Sequence, residues 1–595
     1  MPTASPHALP PDDGLSDFTR DMRMPLLVLL AVIIGATGAG IALALVSLIG
    51  AITNLVFFGR LSLSLTPPST QLLGPLTVLV PAAGGLVVGL MARYGSEKIR
   101  GHGIPEALEA ILTGNSRMQP RVALLKPLAS AIAIGTGGPF GAEGPIIMTG
   151  GAFGSLFAQL FRLSSLERRT LLVAGAAAGM TAIFATPVAA VLMAVELFLF
   201  EWKPRSFIPV AAAAAVAAVL RPYLLGSGPM FPMPPHLAPV PQDMLAALAV
   251  GAGAGLAASL LTVLVFGVED LFRHLPVHWM WWPAIAGLAV GAGGLFDPHV
   301  LGVGYDSIAA LLGGTLAGPP LVNLLAGKTL VWTIALGSGT SGGVLAPTLI
   351  IGGALGALEA HWIGGGASLW ALVGMGAMMA GTLRAPFTAI VFATELTHDI
   401  NVLPELLVGC MAAHAVTVLL MRRSILTEKI ARRGHHIACE YSVDVLERQR
   451  VADVMDPDPV TVPADMRVED LASRVAAGDP LLTRHNALPV VDDGGHLAGI
   501  ITRSDMLRSL DAPAGRTVLE AGTRDPVVAY PDETLRSATI RMLRHAVGRL
   551  PVVSRASPRE LRGYLGRREI LAARLGEFDE EHLREASWVF GSRRH

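Results

Sequence analysis

Long apolar runs separated by short polar stretches dominate the first 435 residues of the chain. We place these runs at residues 24–58, 76–94, 122–134, 171–200, 206–225, 243–267, 279–295, 320–336, 344–358, 368–381, 386–394 and 402–421. Because a helix needs about 20 apolar residues to cross a bilayer, the run at 24–58 predicts a long, tilted membrane helix. Several other runs are shorter and are interrupted by Gly and Pro, which is typical of broken helices that meet inside a membrane.

The distribution of charge predicts where the membrane part ends. After about residue 435, charged residues become dense and no run is long enough to span a bilayer. We therefore expect a membrane domain over 24–436, a linker over 437–450 and a separate tail. Residues 1–23 are polar, and the apolar run after them is too long for a signal peptide, so we expect them to form a cytoplasmic N-terminal segment.

An internal repeat divides the membrane domain into two halves. The stretch KPLASAIAIGTGGPFGAEGPIIMTGGAFGSL starts at Lys126, and KTLVWTIALGSGTSGGVLAPTLIIGGALGAL starts at Lys328; the two align without gaps. Further on, Glu196 follows a proline by nine residues, and so does Glu395. Broken segments at matching places favour two halves of similar fold in an inverted arrangement. We expect the two lysines near helix ends, and the two glutamates to satisfy helix termini.

Three Gly-rich breaks adjoin short apolar runs, at residues 101–105, 141–145 and 343–347. In each, a proline suits the first turn of a new helix, and glycine allows the sharp turn before it. A helix start has unpaired N–H groups and the positive end of the helix dipole, so several starts aimed at one point would bind an anion. For any one break, an ordinary turn is the alternative. The candidate anion ligands are His102, Gly103, Ile104, Gly141, Ala142, Val344 and Leu345.

Glu143 lies in an otherwise uncharged segment of the second break. An ionised carboxylate at the centre of a membrane helix costs about 2.5–3.5 kcal/mol, so it persists only where helix starts or other groups compensate it. A carboxylate held where an anion should bind competes with that anion, and protonation would release it. We therefore predict that Glu143 is a gate; the alternative is a carboxylate that only caps a helix.

Composition narrows the class of protein further. Hydrophobic residues make up 52% of the chain and charged residues 15%, as in packed membrane helices. The net charge of −1 offers no basic footprint for nucleic acid, and two cysteines cannot form a disulfide framework. The adjacent His398 and Asp399 lack the spacing of metal ligands, so we expect no metal site and no required cofactor.

These motifs together resemble the CLC family of chloride channels and transporters. GHGIPEA from Gly101 is similar to the family's GSGIP segment, GAEGP from Gly141 to its GKEGP or GREGP segment, and GGVLAP from Gly342 to its GxFxP segment. The resemblance implies an all-α polytopic fold of about eighteen helices in an inverted repeat. It also implies a homodimer with one anion pathway in each subunit and Glu143 as the gating glutamate.

The chain departs from the family pattern at four positions that matter for mechanism. His102 stands where the family usually has serine, Leu345 where it has phenylalanine, and Leu426 where a tyrosine completes the anion site. Leu197 occupies the place of the exchangers' internal proton-accepting glutamate. We therefore favour a channel over a proton-coupled exchanger. An exchanger with another internal proton route, for which Glu201 is a candidate, is the alternative.

The tail also repeats, and it resembles a pair of CBS domains. DPVTVPADMRVEDLA from Asp458 matches DPVVAYPDETLRSAT from Asp525, and each copy predicts the α/β order strand, helix, strand, strand, helix. We place the domains at 451–512 and 517–576, with a C-terminal segment at 577–595. The resemblance implies that Thr502 and Asp505 hold the ribose of an adenine nucleotide; a purely structural module is the alternative. In the second copy, Gly566 and Glu569 stand at those places.

We expect, from these features, a transport protein and not an enzyme. It would carry chloride or a similar small inorganic anion through a multi-pass domain in a bacterial plasma (inner) membrane, under control of the tail. Arg432 and Arg433 end the membrane domain, and by the positive-inside rule they favour cytoplasmic termini. A magnesium-type cation transporter with a CBS tail is the competing function, and it should have acidic clusters in the membrane.

Overall fold

The computed structural model describes residues 23–70, 73–112, 116–161, 163–233, 236–237, 239–433, 446, 449–479, 486–511 and 515–582. These residues divide into two compact units, 23–433 and 446–582, in agreement with the change in charge density along the sequence. Most of the predicted segments 1–23, 437–450 and 577–595 lies outside the described residues.

Every element of regular secondary structure that the described residues of the first unit form is a helix, and loops join these helices. Its first half contains α1 (Met24–Phe58), α2 (Leu79–Tyr94), α3 (Ile104–Leu112), α4 (Pro120–Gly135), α5 (Glu143–Gln159), α6 (Ser165–Phe184), α7 (Pro187–Met193, continued by a π-helical turn at Ala194–Leu199) and α8 (Pro204–Leu224). The second half contains α9 (Pro241–Arg273), α10 (Trp282–Phe296), α11 (Tyr305–Leu312), α12 (Pro319–Gly337), α13 (Leu345–Ile363), α14 (Ala367–Leu383), α15 (Pro386–Thr397), α16 (Leu403–Leu420) and α17 (Ile425–Ala431). Short 3₁₀ turns lie at Pro68–Thr70, Gly74–Val78, Glu97–Ile99, Trp279–Trp281 and Pro298–Val300.

The hydrophobic pattern predicted most of these helices, with one clear exception. The run at 24–58 is a single helix, and seven helices of the described chain are long and apolar enough to cross a membrane. The run at 171–200, in contrast, is split between α6 and α7. The break follows Ala185, which has a φ of 60°, and precedes Pro187, whose ring disfavours helical backbone in the residue before it.

The two halves pack in the same way, through glycines at helix crossings. A Cβ on Gly150 of α5 would lie 2.3 Å from the Gly175 oxygen of α6. In the second half, a Cβ on Gly352 of α13 would lie 2.4 Å from the Gly374 oxygen of α14. Only residues without a side chain allow backbones to approach so closely. The internal repeat in the sequence therefore corresponds to a repeated helix pair in the structure.

Two glutamates cap helix starts, as the sequence predicted, and each caps a helix of the other half. The Glu196 carboxylate accepts hydrogen bonds from the Phe387 and Thr388 N–H groups at the start of α15, at 3.3 and 2.8 Å. Glu395 does the same for Val188 and Ala189 at the start of α7, at 3.0 and 2.9 Å. Each half thus satisfies the free N–H groups of a helix in the other half. This exchange is the contact expected of halves related by a two-fold axis.

The second unit contains two short sheets with flanking helices. Its elements are α18 (Val451–Val454), β1 (Val462–Pro463), α19 (Val468–Ala476), β2 (Ala487–Val491), β3 (Leu497–Thr502), α20 (Arg503–Leu510), α21 (Val518–Ala521), α22 (Leu535–Arg544), β4 (Arg549–Val553), β5 (Leu561–Gly566) and α23 (Arg567–His582). β2 pairs in parallel with β1 and antiparallel with β3, and β4 pairs antiparallel with β5. The first copy has the predicted order of elements. In the second copy the first strand is reduced to one parallel bridge, Ala529↔Val552.

Candidate functional site

The three Gly-rich breaks meet at one buried point. The Gly343 N–H donates to the Gly141 oxygen at 2.9 Å, which brings the starts of α5 and α13 together. The first break, at residues 101–105, closes on α5, since a Cβ on Gly144 would lie 2.0 Å from the His102 oxygen. The prolines of the breaks lie in the first turns of α3, α5 and α13, as the sequence predicted. Three helix starts therefore share one location.

Glu143 occupies this point with its side chain fully buried. Its Oε1 accepts a hydrogen bond from the Ala346 N–H at 2.9 Å. Within the described part of the chain, Oε2 has no hydrogen-bond partner. A carboxylate from the first half is thus held by the first turn of α13 in the second half. An anion that takes the Ala346 N–H must first displace this carboxylate.

Two glycines make the room that the carboxylate needs. A Cβ on Gly141 would lie 1.9 Å from Glu143 Oε2, and a Cβ on Gly343 would lie 2.6 Å from Oε1. Any larger residue at either position would collide with the carboxyl group. These two positions accordingly contribute space to the site, whereas Ala346 contributes the N–H donor.

The first break contributes a buried imidazole. His102 is 3% exposed, and its Nδ1 has no hydrogen-bond partner among the described residues. Gly103 has a φ of 94°, a conformation that favours glycine, and its N–H donates to Glu106 Oε2 at 2.8 Å. The Gly103 N–H is therefore engaged by a side chain of its own helix. Ile104 is fully buried at the start of α3.

Glu106 links this first break to the end of the membrane unit. Its Oε1 lies 2.9 Å from Lys429 Nζ on α17 and 3.1 Å from Arg433 Nη2. Arg433 also pairs with Glu109 on the next turn of α3. A buried carboxylate needs such partners, and here they fix α17 against the loop that carries His102. The sequence offered no signal for this cluster.

The other predicted ligands are buried side chains. Ala142, Val344 and Leu345 precede or begin α5 and α13. Leu426 lies on α17, which packs against α3 and α14. All four are at most 2% exposed. These apolar residues surround the helix starts. The polar groups of the site are therefore backbone groups, Glu143 and His102.

Leu197 lies buried in the π-helical turn after α7. The candidate substitute, Glu201, is already engaged: it accepts a hydrogen bond from Ser206 at 2.7 Å and pairs with Lys203 at 3.3 Å. These partners hold its carboxylate at the start of α8.

Lys126 and Lys328 are buried in the middle of α4 and α12, so the expectation that they lie near helix ends is wrong. Lys126 Nζ donates to the Ile99 and Gly101 oxygens at 2.9 and 2.6 Å. Lys328 Nζ donates to the repeat-related oxygens of Val300 and Gly302, at 3.0 and 3.1 Å. A buried ammonium needs such acceptors, and the loop carbonyls before α3 and α11 supply them. Lys126 therefore fixes the loop that leads into α3, a helix of the site, and Lys328 fixes the repeat-related loop before α11.

A cavity of about 520 Å³, which we call the basic cavity, lies on the His102 side of the site. Its wall carries seven basic side chains (Lys98, Arg100, Arg117, Arg273, Lys429, Arg432 and Arg433) and four acidic ones (Glu97, Glu106, Glu109 and Glu269). Arg100 stacks on Trp279, with its guanidinium carbon 4.5 Å from the ring centroid. An excess of fixed positive charge in a concave site raises the local concentration of anions.

A second cavity of about 250 Å³, the Tyr305 cavity, is lined by Tyr305, Asp306, Gly302, Gly304 and residues of α1 and the loop after it. The Tyr305 hydroxyl is buried and has no hydrogen-bond partner within the described chain. The Tyr305 ring packs edge-on against Phe184 and Phe231, at 6.4 and 6.0 Å between centroids. No local pattern in the sequence marks Tyr305, because a lone tyrosine at a helix start has no distinguishing neighbours.

In the second unit, Thr502 and Asp505 form a reciprocal cap at the start of α20. The Thr502 hydroxyl and N–H both donate to Asp505 Oδ2, at 2.6 and 3.0 Å, and the Asp505 N–H donates back to Thr502 at 3.2 Å. Arg508 pairs with the same carboxylate. The two predicted ribose ligands are thus adjacent, and their side chains already have protein partners.

One hydroxyl ties the two copies of this unit together. Tyr564 on β5 donates to the Ala487 oxygen on β2 at 2.9 Å, and burial raises the pKa of Tyr564. The hydroxyl therefore remains a donor throughout the physiological pH range.

The fold and this site define a polytopic membrane protein with repeat-related halves and a buried site at their meeting point. The model of the family described as voltage gated chloride channel matches residues 84–418, and the CBS domain model matches 451–512 and 518–576. The chain belongs to the voltage-gated chloride channel family and carries a CBS pair.

Individual relatives agree with this assignment. The chain is similar to the voltage-gated ClC-type chloride channel ClcB of Escherichia coli O81, with 31% identity over 394 residues that cover 64% of this chain and 93% of the relative. It resembles the crystal structure of a slow cyanobacterial Cl⁻/H⁺ antiporter with a TM-score of 0.60 and 23% identity, over 70% of this chain and 99% of that one. It also resembles the crystal structure of a eukaryotic CLC transporter, with a TM-score of 0.58 and 20% identity. That match covers 92% of this chain and 98% of the transporter chain.

Proposed function

We propose that this protein carries chloride, or a similar small inorganic anion, across the membrane along a path through the Glu143 site. The observation that carries the proposal is the hydrogen bond from the Ala346 N–H to the buried Glu143 carboxylate. A group of helix N–H donors that holds one anionic oxygen can hold a free anion in its place. The basic cavity beside His102 supports an anion as cargo, since its wall carries more positive than negative side chains.

Glu143 acts as the gate of this path. While ionised, its carboxylate occupies the donor that the anion needs; when it is protonated or displaced, the donor becomes free. His102, Gly103, Ile104, Gly141, Ala142, Val344, Leu345 and Leu426 form the surroundings through which the anion passes. Backbone N–H groups at helix starts, such as that of Ala346, supply the donors in place of a fixed cation, which permits release as well as binding.

Leu197 favours a channel over a proton-coupled exchanger. An internal proton route needs a side chain that can take up and release a proton, and leucine cannot. The relative from Escherichia coli is described as a channel, and the cyanobacterial structure is described as an antiporter. Exchange through another proton route is the second candidate, and the proposed experiment separates the two.

We propose for this protein the oligomeric state and the membrane location that the family resemblance implies. The protein functions as a homodimer in a bacterial inner membrane, with cytoplasmic termini, and each subunit has its own path. The CBS pair modulates the path, with an adenine nucleotide at Thr502 and Asp505 as its ligand. The basic residues Arg432 and Arg433 at the end of the membrane unit support the cytoplasmic side.

The test is the reversal potential of the purified full-length protein in planar bilayers, under combined chloride and pH gradients. An anion channel gives the chloride equilibrium potential at every pH gradient. A fixed displacement of that potential by the pH gradient would establish proton exchange. Absence of anion current, or a potential set by magnesium, would contradict the proposed function.

A further inference from the structure

We propose that Tyr305 is the positioning residue that receives the Glu143 side chain when an anion displaces it. This inference rests on the proposed function, and it concerns where the gate goes after it leaves Ala346. It assigns to Tyr305 a contact with the gate and not with the anion.

Two buried polar groups near the gate lack hydrogen-bond partners within the described chain. Within the described chain, Glu143 Oε2 and the Tyr305 hydroxyl are both buried and both without a hydrogen bond. Tyr305 begins α11, which packs against α13, the helix whose first turn holds Glu143. A buried polar group without a partner costs free energy, so each has reason to find one. A hydrogen bond between the flexible glutamate side chain and the tyrosine hydroxyl would satisfy both groups.

The packing places Tyr305 beside the helix that holds the gate. Tyr305 begins α11, and a Cβ on the preceding Gly304 would lie 2.6 Å from Ile350 Cδ1 on α13. Ile350 is one turn beyond Ala346, the donor to Glu143. Phe184 and Phe231 hold the Tyr305 ring from two sides. The hydroxyl is therefore a fixed target, and the Tyr305 cavity provides space next to it.

Charged groups around the pair favour a carboxylate in this region. Lys328 lies beside Tyr305: its Nζ donates to the Gly302 oxygen at 3.1 Å, and a Cβ on Gly304 would lie 3.3 Å from it. Asp306, which lines the Tyr305 cavity, accepts a hydrogen bond from the Ser69 hydroxyl at 2.9 Å and so has its own partner. Lys328 is buried, and its positive charge compensates the negative charge of a carboxylate that moves toward Tyr305.

A hydroxyl suits this role because it can both donate and accept. It donates to an ionised carboxylate, which makes the stronger bond, and it can also pair with a protonated carboxyl group. Without the hydroxyl, the displaced gate loses its partner and returns to Ala346. Loss of the hydroxyl should therefore reduce transport most where Glu143 is ionised, and transport should require a lower pH.

The test is a double-mutant comparison of chloride flux in proteoliposomes as a function of pH. Tyr305→Phe removes only the hydroxyl and keeps the ring contacts. At neutral pH we expect a roughly fivefold lower flux than wild type, which corresponds to one hydrogen bond, and a half-maximal flux at lower pH. In a Glu143→Ala background, where there is no gate to receive, Tyr305→Phe should change neither quantity. Tyr223→Phe, the same change at an exposed residue, serves as the matched control.

Two results would overturn the inference while the proposed function stands. One is an equal loss of flux from Tyr305→Phe in both backgrounds, which would mean that the tyrosine acts on the anion or on packing. The other is an unchanged flux and pH profile in both. If wild-type protein carries no chloride at all, the proposed function fails, and this inference fails with it.

Discussion

At the scale of single residues, the site depends on groups that a membrane interior would normally exclude. Glu143, Lys126 and Lys328 are all buried, and backbone groups of the site loops are their partners. A buried charge persists only where such partners exist. The backbone of the site therefore keeps these charges in place, and in the proposed function the same groups bind the anion.

His102 is the residue whose chemistry departs most from the family pattern. Its buried Nδ1 lacks a partner among the described residues, and the side chain lines the basic cavity. We predict that His102→Ala weakens chloride binding roughly fivefold, because one donor of the inner approach is lost. The measurement is isothermal titration of chloride into detergent-solubilised protein. His414→Ala, which changes a half-buried histidine on α16, is the control; equal losses for both variants would contradict a role for His102.

The sequence predicted the position of Glu143 well and the environment of the lysines poorly. Glu143 stood out because it is the lone charge of a Gly-rich segment, which is a signal that the local sequence contains. Lys126 and Lys328 looked like ordinary helix-end residues, because their acceptors lie in loops about 25 residues away in sequence. Partners that only the tertiary fold brings together, such as those of Glu106, leave no local pattern.

At the scale of helices, the exchange of caps between α7 and α15 holds the two halves in register. Glu196 and Glu395 each satisfy two N–H groups of a helix in the other half. The equal spacing of glutamate and proline in both halves predicted that the pair would be equivalent. It could not predict that each glutamate serves the other half, because a repeat in sequence does not define how its copies pack.

We predict that Glu196→Gln lowers the free energy of unfolding by about 2 kcal/mol, because the hydrogen bonds to the helix start lose their charge. Glu395→Gln should have a similar effect, since its contacts are the counterparts of those of Glu196. The measurement is reversible unfolding of solubilised protein in a denaturing detergent. Glu97→Gln, which affects only a surface pair with Arg100, should change stability by at most about 0.5 kcal/mol. Equal losses for all three variants would contradict the cap-exchange account.

At the scale of the whole molecule, the chain combines a membrane unit with a CBS pair. The order of elements in the first CBS copy was predictable from its periodicity, because alternating β-branched runs and amphipathic stretches have distinct patterns. The reduced first strand of the second copy could not be predicted from the sequence. Val527 and Val528 have high β-propensity, and only the final packing leaves a single bridge there.

We predict that full-length protein binds adenosine triphosphate and that Asp505→Asn lowers the affinity roughly tenfold or more, because a hydrogen bond to a charged group is lost. Glu569→Gln, at the matching place of the second copy, should have little effect. The measurement is equilibrium binding of labelled nucleotide. Equal affinity in wild type and Asp505→Asn would contradict a ribose contact at this residue.

The central claim is that the Glu143 carboxylate and a transported anion compete for the same helix N–H donors. Calorimetric titration of chloride into solubilised wild-type and Glu143→Gln protein across a pH series tests it most directly. The account predicts that chloride binding to wild type weakens as pH rises and the carboxyl group ionises, whereas binding to Glu143→Gln is tight and nearly independent of pH. The same pH dependence in both proteins would contradict competition at this site.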